Sequence, residues 1–197
     1  MRPEMEANQK LMASILADSS TWTPEIATFT GQVFDALSTS WIDERSSYRP
    51  APLLDALARG DVGSGSRCLE IGSGTGVLTR YLRDRWSEVV CVDLSMGMMK
   101  LSDHQLNIQA DAGMLPFSNE SFDVIAFGDA PTFVNETLRV LARDGTLIWS
   151  NALGVDAPYY LPTKDLLDAF AHAASSSRWS AVTSEALWGS WAVLRQS

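Results

Sequence analysis

Leu69-Glu70-Ile71-Gly72-Ser73-Gly74-Thr75-Gly76 is the stretch that decides the fold. An apolar run, Arg67 to Ile71, enters a turn with glycine at 72, 74 and 76, and a helical segment, Val77 to Trp86, leaves it. Strand, glycine turn and helix in that order are how a parallel sheet builds a ligand-binding loop. Glycines carry no Cβ to hold a bound molecule off the backbone, and amides at the helix start are expected to point at it. Nicotinamide enzymes use a similar turn. Their Gly-x-Gly-x-x-Gly fingerprint needs glycine at 77, and that residue is Val77.

Outward from the loop, apolar strand-like runs alternate with helix-like segments. The runs are Arg67 to Ile71, Val89 to Val92, Asn107 to Ala110, Phe122 to Phe127 and Thr146 to Ser150. Val77, Leu78, Tyr81 and Leu82 form one helix face, and Val134, Leu138 and Leu141 mark a second helix, Thr132 to Ala142, ended by the Asp144-Gly145 turn. A third is expected to open at Thr163 as its cap, with Leu166, Leu167, Phe170 and Ala173 inward. The tail, Trp179 to Leu194, reads as two strands joined near Gly189, a hairpin that makes the sheet edge antiparallel. Ahead of residue 67 the signal is helical: Glu4 to Ala17, Pro24 to Leu37 with Phe29, Val33 and Leu37 in line, and Pro50 to Arg59. Gly60 and Gly63-Ser64-Gly65-Ser66 form a flexible lead-in, dividing an N-terminal helical lid or accessory region, 1–62, from the main domain, 63–197.

Acidic residues close three successive strands. Glu70 would be a poor neighbour for a pyrophosphate but suits a ligand bearing ammonium and sulfonium cations. Asp93 can accept hydrogen bonds from both hydroxyls of a ribose, and Asp111 from an adenine amino group, while the following amide donates to the ring. Leu94 and Met96 could supply apolar contacts to the adenine face, whereas Met98 and Met99 read as helix packing.

These residues together resemble the class I S-adenosylmethionine-dependent methyltransferases, close to the small-molecule group that includes ubiquinone and menaquinone biosynthesis enzymes. The resemblance spans residues 67 to 150. It rests on the Leu69 to Gly76 loop, Val92-Asp93-Leu94-Ser95, Asp111-Ala112 before Leu115-Pro116-Phe117, Ser121-Phe122-Asp123-Val124-Ile125, and Leu138-Arg139-Val140-Leu141 leading to Asp144-Gly145-Thr146-Leu147. It implies an α/β Rossmann-like three-layer sandwich with a seven-stranded, mostly parallel sheet in order 3-2-1-4-5-7-6, strand 7 antiparallel. It also implies methyl transfer from S-adenosylmethionine, with S-adenosylhomocysteine as product, to a small-molecule acceptor. Carried over residue by residue, Glu70 and Gly72 would hold the methionine end, Asp93 the ribose, and Asp111 with Ala112 the adenine, with Ser73, Gly74, Gly76, Leu94 and Met96 completing the cofactor-binding set. Phe127, Gly128 and Asp129 would lie between cofactor and acceptor. Arg143-Asp144 stands where relatives often have proline, and Gly128-Asp129-Ala130-Pro131 lacks a signature for amino-bearing nucleic-acid substrates.

Net charge of -9 and a pI near 4.6 weigh against a nucleic-acid partner, whose binding draws on Lys and Arg. Two cysteines, Cys68 and Cys91, form neither a disulfide framework nor a metal-ligand pattern and are expected to be buried and reduced, in a cytoplasmic protein. No signal peptide or membrane span is expected, and a monomer or homodimer is. A base is optional for methyl transfer; Asp129 and His172 are the candidates, with His104 expected on an exposed loop. Trp22, Trp41 and Tyr48, the last two framing Asp43-Glu44-Arg45, are expected in a lid. Two other readings compete: a NAD-dependent oxidoreductase, and a non-catalytic S-adenosylmethionine-binding regulator.

Overall fold

A computed structural model describes residues 3–40, 48–157, 159–173, 179–186 and 188–196. Three helices lead the chain: α1 (Pro3–Ala17), α2 (Pro24–Leu37) and α3 (Pro50–Arg59). Thr23 caps α2 by accepting the Ile26 N–H on its side chain, and Pro24 follows at the first helical position, where its missing N–H costs nothing. The alternation then runs β1 (Arg67–Ile71), α4 (Thr79–Arg83), β2 (Glu88–Asp93), α5 (Met96–Met99), β3 (Asn107–Gln109), β4 (Phe122–Gly128), α6 (Val134–Val140), β5 (Leu141–Ala152), α7 (Thr163–Ala173), β6 (Trp179–Ala186) and β7 (Gly189–Gln196). The sheet order is β3-β2-β1-β4-β5-β7-β6, with β7 antiparallel to both neighbours, as the resemblance implied.

Side chains alternate across the sheet and so feed two cores. Leu69, Ile71, Val90, Val92, Ile125, Phe127, Leu147 and Trp149 point to one face, where they meet Met12 and Ile15 of α1 and Leu166 and Phe170 of α7. Cys68, Cys91, Val124, Ala126, Ile148 and Trp191 point to the other, beneath Leu53 and Ala56 of α3 and Leu82 of α4. Both cysteines are buried and free. Helix α3 thus covers the sheet, packing on β5 and β7.

Several expectations change. The helix after the glycine loop is shorter than Val77 to Trp86, because positive φ at Gly72, Gly74 and Gly76 prolongs the turn. Asp144-Gly145 lies inside β5, in a bulge: Phe122 pairs with Leu141 and Val124 with Thr146, so residues 142–145 stand opposite Asp123. Gly145 is needed there, since a Cβ would lie 2.8 Å from the Ala142 carbonyl. Thr163 does not cap α7; its buried hydroxyl has no partner among the described residues, and the Pro162 carbonyl accepts the first helical N–H groups. Ala173 is exposed. The Phe29, Val33 and Leu37 line of α2 also faces outward, because α2 turns Ala27 and Gly31 inward; a Cβ on Gly31 would lie 3.4 Å from the Leu94 carbonyl. His104 is part-buried, its Nε2 2.6 Å from the Val89 carbonyl. Trp41 and Asp43-Glu44-Arg45 lie outside the described residues. Among the described residues no helix is long and apolar enough to cross a membrane.

Leu147 has no solvent exposure in the central strand β5. Leu147→Ala should cost about 2–5 kcal/mol by the usual core-truncation range, read as a fall in the urea midpoint at unchanged slope.

Candidate active site

At the carboxyl ends of the strands lies a cavity of about 520 Å³, the edge at which open α/β sheets bind ligands. Its walls include Gly72 and Gly74 from the loop after β1, Asp93 and Leu94 from β2, Asp111 and Ala112 after β3, and Gly128 and Asp129 at the end of β4. Asn8, Trp22, Thr30, Phe34, Tyr48 and Arg49 close it from the N-terminal region, and Leu153, Asp156, Ala157 and Tyr159 from the segment after β5.

The glycine loop is spoken for by its neighbours. Gly72 and Ser73 donate their N–H groups to the Val92 carbonyl at 2.9 and 3.1 Å, Gly74 donates to Asp93 Oδ2 at 2.7 Å, and Gly76 to the Ser73 carbonyl at 2.9 Å. None of these four N–H groups is left for a ligand. Instead the loop offers room: a Cβ on Gly74 would meet nothing within 4 Å, while one on Gly72 would strike Ala130 Cβ at 2.5 Å. Asp93 also accepts the Ser95 N–H on Oδ1 at 2.8 Å, and burial raises its pKa.

Glu70 does not face the cavity, as the charge argument expected. Strand alternation turns it to the other face, 1% exposed, where Oε2 accepts the Thr79 hydroxyl at 2.6 Å and the Cys91 thiol at 3.4 Å. Its Oε1 is buried with no partner among the described residues. Burial pushes its pKa up to about 7 against the Thr79 and Cys91 hydrogen bonds.

Three polar contacts tie the N-terminal region to successive strand ends. Trp22 donates its indole N–H to both carboxylate oxygens of Asp111, at 3.1 and 2.9 Å. Asp35 of α2 accepts the Ser95 hydroxyl at 2.5 Å and the Gly97 N–H at 2.7 Å, just beyond β2. Arg49 reaches Asp129 Oδ2 at 3.2 Å, both side chains under one-fifth exposed. Asp129 has φ 54, a left-handed conformation that costs a non-glycine residue roughly 1–2 kcal/mol. Its N–H bonds the Ser150 carbonyl and its Oδ1 accepts the Ala152 N–H at 2.8 Å, which hold it there. Burial raises its pKa and Arg49 opposes the rise.

Of the other expected site residues, Ser73, Gly76 and Met96 lie outside the cavity wall, and Phe127 is packed into the core. Met98, expected to be helix packing alone, does line the wall. His172 is exposed on α7, away from the cavity. Arg49, Thr30, Phe34 and Tyr159 carried no separable sequence signal, since each sits in an ordinary amphipathic or loop context.

Residues 69–149 match the family described as methyltransferase domain. The chain is 34% identical over 83 residues to a demethylmenaquinone methyltransferase of Renibacterium salmoninarum, covering 40% of this chain and 35% of that protein. It is 36% identical over 107 residues to the ubiquinone/menaquinone biosynthesis C-methyltransferase UbiE of Pseudomonas aeruginosa, covering 44% and 42%. The chain thus spans under half the length of these relatives. Among solved structures, the DhpI complex with S-adenosylhomocysteine superposes with a TM-score of 0.70 at 16% identity, over 89% of this chain and 98% of that one. A possible histamine N-methyltransferase of Thermotoga maritima gives 0.61 at 17% identity, over 84% and 98%. Sequence match and fold agree in direction: residues 69–149 are similar to a methyltransferase domain, and the sheet is the Rossmann-like one of the solved neighbours.

The raised pKa of Glu70 has a defined sign. The folded state holds this proton more tightly than the unfolded chain, so the stabilisation is full below about 4.5 and is lost as pH rises through about 7. Glu70→Gln should therefore gain on the parent protein between pH 5 and pH 8, measured as the difference in urea midpoints at the two values.

Proposed function

We propose that this protein transfers a methyl group from S-adenosylmethionine to a small-molecule acceptor. The observation that carries the reading is the spent loop: Gly72, Ser73 and Gly74 donate their N–H groups to the end of β2, so they have none left for a pyrophosphate. The cavity meets its ligand with carboxylates instead, Asp93, Asp111 and Asp129, against the cation Arg49. Acceptor-only groups in that surplus fit a cofactor of net positive charge bearing ribose hydroxyls and an adenine amino group. They do not fit the diphosphate of a nicotinamide dinucleotide.

In this reading Asp93 accepts the ribose hydroxyls on the lone pairs that Gly74 and Ser95 leave open, and Asp111 with Ala112 takes the adenine. Gly74 lets the backbone approach the ligand closely, since a Cβ there would meet only open space. Bound S-adenosylmethionine supplies an electrophilic methyl group on a sulfonium sulfur. What remains for the chain is alignment and exclusion of water. The Arg49 ion pair and the Ala152 N–H favour a positioning role for Asp129 over that of a base. Its task is to set Arg49, and through it the N-terminal wall. Trp22, α2 and Arg49 act as lid, whereas α3 packs on the other face of the sheet, and Phe34 with Tyr159, ring centroids 5.8 Å apart, forms an aromatic wall for the acceptor. The fit is to a small molecule rather than nucleic acid at net charge -9, and buried free Cys68 and Cys91 accord with a reducing cytoplasm.

Calorimetric titration is expected to give S-adenosylhomocysteine binding and none with NADH; the reverse pattern would overturn the reading. Asp93→Ala should weaken S-adenosylhomocysteine by about tenfold or more, since hydrogen bonds to a charged group contribute about 1.5–3 kcal/mol.

A further inference from the structure

Both carboxylate oxygens of Asp111 are engaged by one bifurcated N–H, and its source is the lid. We propose that Trp22 is a nucleobase-specificity residue: its indole N–H, bridging both oxygens of Asp111, leaves that carboxylate one acceptor position for a ligand. The site thereby selects a base with an exocyclic amino group over one with a 6-oxo group. The inference rests on the S-adenosylmethionine reading above and deepens it.

A carboxylate has about four in-plane acceptor positions. Trp22 Nε1 lies 3.1 Å from Oδ1 and 2.9 Å from Oδ2, and the Gly113 N–H reaches Oδ1 at 2.8 Å. What remains is one position, on Oδ2. The indole is donor-only, so it holds Asp111 as an acceptor and fixes the plane in which the free lone pair lies.

Trp22 is itself fixed from two sides. Its ring packs edge-on against Phe133, centroids 5.7 Å apart at 68°, and Phe133 is buried in the cavity wall. Its backbone N–H bonds the Ser19 carbonyl, in a turn that Asp18 caps by accepting the Ser20 N–H. An adenine amino group can aim one of its two N–H donors at the free position. A 6-oxo base brings lone pairs against a lone pair, the unpaired buried contact by which hydrogen-bonding sites reject analogues. Without the indole N–H, Asp111 is free to rotate and take up water, and the penalty on the wrong base shrinks.

The test is calorimetry with S-adenosylhomocysteine and S-inosylhomocysteine on the parent protein, Trp22→Phe and Asp111→Asn, with melting temperatures as a folding control. The parent should prefer the adenosyl compound by about tenfold or more. Trp22→Phe keeps the ring on Phe133 and removes the donor; its adenosyl affinity should fall about tenfold and its inosyl affinity by less than about threefold, erasing the preference. A preference retained in Trp22→Phe, even with both affinities lowered, overturns the inference, because a merely structural role moves both ligands together. Asp111→Asn gives an independent reading if Trp22→Phe does not fold. The Gly113 N–H, 2.8 Å from Oδ1, should draw the amide oxygen to that position and turn the NH₂ toward the ligand, reversing the preference to the inosyl compound; an unreversed preference overturns the inference. Failure of the parent to bind either nucleoside instead overturns the functional reading on which this one stands.

Discussion

The hydrogen bond from the Gly74 N–H to Asp93 is the constraint on which the site depends. It closes the glycine loop onto the next strand, so that β1 and β2 present one joined rim. The bond consumes the amide that a phosphate would otherwise seek and raises the density of carboxylate at the rim. One contact thus settles the shape of the loop and the sign of the charge its ligand must carry. The positive φ at Gly72, Gly74 and Gly76 follows from bending the chain back to reach β2.

The cover over that rim is built on the same plan. Asp35, Trp22 and Arg49 each engage the end of a different strand, at Ser95 beyond β2, Asp111 beyond β3 and Asp129 beyond β4. Helices packed by apolar faces alone could slide, because hydrophobic contact has no direction. Hydrogen bonds at three strand ends remove that freedom and give the roof one register over the floor. Asp129 shows what this costs locally, a left-handed backbone kept in place by its bonds to Ser150 and Ala152.

Fold and floor were legible in the sequence because they repeat short-range rules. Apolar alternation marked the parallel strands, Gly189 marked the hairpin, and the acids at 93 and 111 stood where strands had to end. Glu70 was misread for a physical reason: a residue one short of the strand end faces the opposite side from the last one, and Ile71 took the cavity side. Met96 and Met98 exchanged roles for a similar reason, since a four-residue helix gives too little periodicity to tell its faces apart. The roof was the least legible part. Arg49 meets Asp129 across 80 positions of sequence, and no local pattern encodes such a pairing.

Strand β6 contributes no residue to the cavity wall. It forms the far edge of the sheet and is mostly exposed, while β7 beside it is buried along most of its length. The cavity opens at the other half, over β1, β2, β3 and β4. An insertion or a new partner strand at β6 would be felt as a change in durability, long before it altered which molecule the protein holds.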